Sequence, residues 1–182
     1  MRHPIPDELV AGLDEIRRSP ADDGVVELIV RRPAENEREV LAEGELDVAE
    51  GLVGDMWRRR GSRSTPDGSA NPLAQLTLQN ARLAALVAGE RERWPLAGDQ
   101  LYIDLDFSLD NLPPGTRLAV GSAEIEITPH PHTGCAKFSA RFGSDALRFV
   151  NSPTGRALRL RGVNARVVEG GTVRRGDVVH KL

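Results

Sequence analysis

Glycine and proline punctuate this chain so often, 18 and 12 times in 182 residues, that apolar periodicity survives only in short stretches. Gly24–Arg31 (GVVELIVR) is a β-branched run of strand length. Residues 40–48, 100–107, 117–120, 123–128, 163–168 and 177–180 read as further strands, and residues 73–77 as extended. Gly121-Ser122 lies between two alternating runs, which is a hairpin signature. Helical spacing is confined to residues 6–18, 79–88 and 144–150, the last with Ser144 as its expected N-cap. Many short strands, glycine turns and few helices predict a mainly β fold with a closed or nearly closed barrel. The barrel is expected over residues 24–182, preceded by a helical extension over residues 1–23.

The aromatic content of 4% leaves the core to Val, Leu, Ile and Ala. It also leaves no platform of interleaved aromatic and basic residues for single-stranded nucleic acid. A net charge of −3 points away from nucleic acid and from anionic membranes. No apolar run approaches the roughly 20 residues of a spanning helix. The opening MRHPIPDELVAGLDEIRR lacks the apolar centre of a signal peptide, and a single cysteine forms no internal disulfide. Together these predict a soluble cytoplasmic protein. Residues 58–72 (RRRGSRSTPDGSANP) are the one compositional break and read as a mobile surface loop. Its Arg58, Arg59, Arg60 and Arg63 could clamp an anion; a merely solvated basic loop is the alternative.

Candidate chemistry concentrates in Thr128-Pro129-His130-Pro131-His132-Thr133-Gly134-Cys135-Ala136-Lys137. Two prolines that cannot donate to a β-ladder predict a stiff extended edge. In an extended chain His130 and His132 share a side, as do Cys135 and Lys137. Gly134 leaves room beside the sulfur for a ligand or a neighbouring backbone. A cation at Lys137, with His132 nearby, would favour the thiolate, the form that attacks sulfur or binds metal. Two alternatives stand beside this reading. Cys135 could be a buried structural residue, or His130, His132 and Cys135 could be zinc ligands lacking a nearby fourth. Phosphate-loop and nucleophile-elbow motifs are missing.

Several short pieces occur in a fixed order around this spot. Gly51-Leu52-Val53-Gly54-Asp55 and Gly98-Asp99-Gln100-Leu101 come first. Residues 112–128 then run into the cysteine, Ala140-Arg141-Phe142-Gly143 follows, and last come Gly162-Val163-Asn164-Ala165-Arg166-Val167, Gly171-Thr172-Val173 and Gly176-Asp177. This order resembles the MOSC family, the C-terminal domain of molybdenum cofactor sulfurases, which also occurs as small free-standing bacterial proteins. Where the family commonly has Pro-Arg-x-Pro-Cys, this chain has histidines before Cys135. The resemblance implies a β-barrel whose single cysteine carries sulfur as a persulfide or ligates molybdenum. Carried over by position, the functional cysteine is Cys135; His132 and Lys137 would stabilise its thiolate, and Arg141, Asn164 and Arg166 would meet molybdenum cofactor (molybdopterin). Sulfur transfer or a part in a molybdenum-dependent reductase would follow. A pyridoxal phosphate-dependent cysteine desulfurase or a molybdoenzyme would be the partner. A non-catalytic cofactor-binding module with Cys135 as thiolate ligand is the alternative.

Overall fold

The computed structural model describes residues 3–182. Seven strands close into a barrel: β1 (Gly24–Arg31), β6 (Leu101–Asp104), β5 (Leu76–Asn80), β9 (Val163–Glu169), β8 (Ala123–Ile127), β7 (Arg117–Val120) and β11 (Val178–Lys181). β11 pairs back onto β1 through Gly24–Val179 and Val25–Val178, which removes the free edges. Gly24 is required at that seam, because a Cβ there would lie 2.7 Å from the Asp104 carbonyl. The interior is aliphatic, as the composition predicts, with Ile29, Leu78, Ile103, Ile125 and Val179 fully buried. In β1 a register shift between Val26 and Leu28 lets Val26 and Ile29, three apart, both face the barrel interior. Leu28 and Val30 then face outward into a second core.

That second core is where the helices sit. β5 and β6 are the parallel pair, so the chain must cross over between them. It does so through α4 (Ala81–Ala88) and a 3-10 segment, Arg91–Ala97. Asn80 caps α4 by accepting from the Leu83 N–H, which stops the strand and starts the helix two residues later than its periodicity suggests. The expected helix over residues 6–18 is two short ones, α1 (Pro6–Ala11) and α2 (Leu13–Arg17). They part at Gly12, where an added Cβ would strike the Leu86 side chain at 2.5 Å. With α5 (Ala136–Phe142) and α6 (Ser144–Asn151) they cover the barrel through Leu9, Ile16, Phe138, Phe142 and Val150.

Helix is 29% of the chain and strand 28%, so the barrel is as expected but more helix surrounds it than the sequence suggests. Missed were α3 (Trp57–Arg60), α5, α7 (Pro153–Ala157) and the 3-10 turns Pro72–Ala74 and Arg91–Ala97. All are short, and their apolar residues do not repeat often enough to show a period. Gly143, not Ser144, is the N-cap of α6. The strand expected over residues 40–48 breaks into β2 (Glu39–Leu41) and β3 (Glu43–Asp47) because they serve different sheets. β2 adds to β1, whereas β3 pairs with β4 (Gly51–Leu52) and β10 (Gly171–Arg174). No helix is long and apolar enough to cross a membrane among the described residues.

Candidate functional site

One end of the barrel opens into a cleft of about 900 Å³. Its floor is built from two buried arginine–aspartate pairs. After β1, Arg32 reaches Asp55 with a two-pronged contact, Nε to Oδ2 at 2.8 Å and Nη2 to Oδ1 at 2.9 Å. After α7, Arg161 meets the fully buried Asp99 at 2.8 and 3.0 Å and the Ala97 carbonyl at 3.0 Å. The acids belong to the two glycine-led turns singled out in the sequence. Gly54 and Gly98 adopt φ of +82° and +90°, values that only glycine reaches without strain, and so turn each aspartate inward. Burial pushes the Asp99 carboxyl above its usual range, against the pull of the Arg161 guanidinium.

Above the floor the walls carry Arg38, Arg60, Arg63 and Arg141, none within ion-pair distance of a carboxylate among the described residues. The one lining carboxylate, Glu35, is held by Lys137 at 3.0 Å. Arg38 and Arg141 instead bond backbone carbonyls, Pro95 at 3.2 Å and Leu96 at 2.6 Å. They converge on Gly98, where a Cβ would lie 3.6 Å from Arg38 Nη2 and 3.8 Å from Arg141 Nη1. Burial, then the charges of Arg141 and Arg32, lowers the Arg38 pKa; burial and Arg32 do the same to Arg60. The cleft therefore holds cations at an electrostatic cost that an anion would relieve. Of the loop arginines considered together in the sequence, Arg60 and Arg63 reach the cleft, while Arg58 pairs with Glu50 and Arg59 bonds the Pro33 carbonyl.

Cys135 is exposed on the cleft wall. The strap before it leaves the sheet, bends at Pro129-His130 instead of running as a stiff extended edge, and is held at two points by asparagine amides. Asn164 donates to the His130 carbonyl at 3.0 Å. Asn151 accepts from the Gly134 N–H at 3.0 Å and donates to the Gly134 carbonyl at 3.2 Å. Gly134 is needed because α6 packs on it: a Cβ would lie 2.7 Å from Leu147 Cδ1 and 3.0 Å from Val150 Cγ2.

The expected extended alternation past the cysteine is corrected by α5. Cys135 is its N-cap, so Lys137 lies in the first helical turn and spends its charge on Glu35. His132, expected to help stabilise the thiolate, is a buried neutral group. Its side chain is 14% exposed, Nε2 lies 3.5 Å from Asp99 Oδ1, and Nδ1 is buried without a partner. Burial, together with Arg161 and Arg32, holds its pKa well below the ordinary imidazole value. Arg141 lines the cleft as expected, and Asn164 does so while anchoring the strap. Arg166 does not: on β9 Ala165 and Val167 point inward, so Arg166 points out and pairs with Glu126 at 2.9 Å. The zinc constellation is not formed, since no three His, Cys, Asp or Glu side chains gather to hold a metal among the described residues. Arg32 and Arg161 escaped the sequence reading. Their partners lie 23 and 62 residues away, and only the two glycine-led aspartates hinted at them.

A closed barrel with a cationic cleft and one exposed cysteine at its rim defines the class of protein. The MOSC domain model matches residues 74–180, more than half of the chain, and the chain belongs to that family. Among solved structures it is similar to the YuaD protein of Bacillus subtilis, with a TM-score of 0.65 and 16% identity over 87% of this chain and 96% of that one. It is also similar to YiiM of Escherichia coli, with a TM-score of 0.55 and 18% identity over 87% and 69%. YiiM of Geobacillus stearothermophilus follows with 0.53 and 13% over 89% and 73%. At such identities the likeness is one of fold. Among curated proteins none matches the chain.

Proposed function

We propose that the cleft binds a phosphate-bearing molybdenum cofactor of the molybdopterin type, with Cys135 as the thiolate that ligates the metal. The observation that supports this is the surplus of Arg38, Arg60, Arg63 and Arg141 around one cavity of about 900 Å³ that also exposes the only sulfhydryl. The residues present fit such a group. The cavity is of the size that takes a cofactor, guanidiniums pair well with phosphate, and Arg161 Nε is a buried donor without a partner. No arginine stands in the strap where the family commonly has one, yet the walls supply the guanidiniums from other elements. When bound, the cofactor would supply oxygen-atom or electron transfer at molybdenum, as in a reductase component. This chain's own part is to ligate with Cys135, to neutralise phosphate with the wall arginines, and to keep the rim rigid through Asn151 and Asn164.

Sulfur carriage is the second reading, favoured by the exposure of Cys135. The Cys135 thiolate would attack the outer sulfur of a persulfide on a cysteine desulfurase. One S–S bond forms, the donor S–S bond breaks, and the donor leaves as thiolate. The protein purified from molybdate-fed cells, analysed for molybdenum and by intact mass, separates the readings. About one molybdenum per chain, lost in Cys135→Ser with the fold retained, is expected for cofactor binding. One added sulfur atom on Cys135 after incubation with desulfurase and cysteine, without molybdenum, would favour carriage. Neither on the wild type would overturn both.

A further inference from the structure

A second cavity of about 410 Å³ lies across the strap from the cleft. The strap's His130, Pro131, His132 and Thr133 form the partition, and Arg161 and Asn164 line both sides. Three guanidiniums, Arg156, Arg159 and Arg161, border this cavity, and no carboxylate is among its lining residues. Between them stand apolar walls of Pro114, Pro129, Val150 and Val163. Arg161 is 7% exposed and its Nε is buried without any hydrogen-bond partner. His132 Nδ1 is likewise unpaired and faces Gly162, whose added Cβ would lie 3.2 Å from it. An unpaired buried donor of this kind costs about 1–3 kcal/mol unless something satisfies it. Arg159 adds a second departure from rest. It adopts φ of +47°, strained for a residue with a side chain, and its Nη1 is held by the Leu112 carbonyl at 2.6 Å.

We propose that this second cavity is a binding site for a small organic anion, its oxyanion head on Arg156, Arg159 and Arg161 and a compact apolar body against Pro114, Val150 and Val163. The volume admits one ring and a head group, at the small end of ligand pockets. A body of that kind separates the occupant from a bare inorganic ion, for which apolar walls offer nothing. The two cavities share the strap, Asn164 and Arg161, whose Nη1 is already held by Asp99, whereas Arg156 and Arg159 border the second cavity and not the larger cleft.

Amide resonances report the two cavities separately: Gly155 and Gly162 border the second, Gly61 and Gly98 the first. The full chain is titrated with phenyl phosphate, with inorganic phosphate and with the neutral benzyl alcohol. Saturable shifts at Gly155 and Gly162 with phenyl phosphate are expected, with affinity about tenfold above either control because head and body both contribute. Arg156→Gln, an exposed position that leaves the core untouched, should weaken that affinity about tenfold by loss of one charge-assisted contact. Arg141→Gln, in the larger cleft, should leave it unchanged. Shifts confined to Gly61 and Gly98, an affinity at Gly155 that follows Arg141→Gln, or equal binding of inorganic phosphate would each overturn the proposal.

Discussion

His132 shows how burial reverses a residue's chemistry. Burial, with the charges of Arg161 and Arg32 beside it, holds the imidazole neutral, so its folded pKa lies below the unfolded value of about 6.5. The sign follows from that direction. Well above about pH 6.5 both states are unprotonated and the group contributes no pH dependence. As pH falls through about 6.5 the unfolded chain takes up a proton that the folded one refuses, and stability is lost. The slope is about 1.4 kcal/mol per pH unit and persists down to the folded pKa. Urea unfolding between pH 7.5 and 5 should show this loss, and His132→Gln should remove it. An unchanged slope in the variant would mean that His132 titrates freely.

Two elements govern how Cys135 is presented, the strap and the arginine-bearing loop. The strap is tied to α6 by the two hydrogen bonds of Asn151 to Gly134. Asn151→Ala should cost about 1–2 kcal/mol in thermal unfolding, the worth of two hydrogen bonds partly exposed to water. It should also change the rate at which iodoacetamide labels Cys135 in the folded protein, whereas a purely structural role elsewhere would leave labelling as it was. The loop over residues 58–72 is less bare than its composition suggests. Arg58–Arg60 continue a helical turn from buried Trp57, whose Nε1 donates to the Asn71 carbonyl at 3.2 Å. The stretch between carries only polar contacts, such as Ser62 N–H to the Gly68 carbonyl at 3.2 Å. Trypsin should therefore cut at Arg63 in the free protein, and saturating pyrophosphate should slow the cut by drawing Arg60 and Arg63 onto the anion. Equal cleavage with and without pyrophosphate would leave these arginines to solvent.

For the whole molecule the notable quantity is where charge sits. The chain carries a net charge of −3, yet the cleft beside Cys135 concentrates six arginines and Lys137 against Glu35 alone. Anions that bind there stabilise the fold by mass action. Pyrophosphate should raise the melting temperature more than sodium chloride at equal ionic strength. Arg141→Gln should reduce that rise while leaving the protein without ligand as stable as before or slightly more so, since it removes a repulsion with Arg38. A rise that sodium chloride reproduces would reduce the cleft to unspecific screening.

What the sequence determined by itself is what local rules control. Alternating β-branched runs, glycine turns and an aliphatic composition specify short strands, and short strands without long helices specify a barrel. The hairpin at Gly121 and the strand Gly24–Arg31 follow from residues adjacent in the chain. Cys135 stood out because it is the only sulfhydryl, beside residues that fit no strand. The tertiary structure decided the rest. Whether His132 is a cation, whether Lys137 is free, and which arginines face the sulfur depend on groups that lie far off along the chain. Arg161 meets Asp99 across 62 residues, Lys137 meets Glu35 across 102, and Arg166 is turned away by the inward pull of Ala165 and Val167. Burial and Coulomb interaction act through space, and no local pattern encodes a distance that only barrel closure creates.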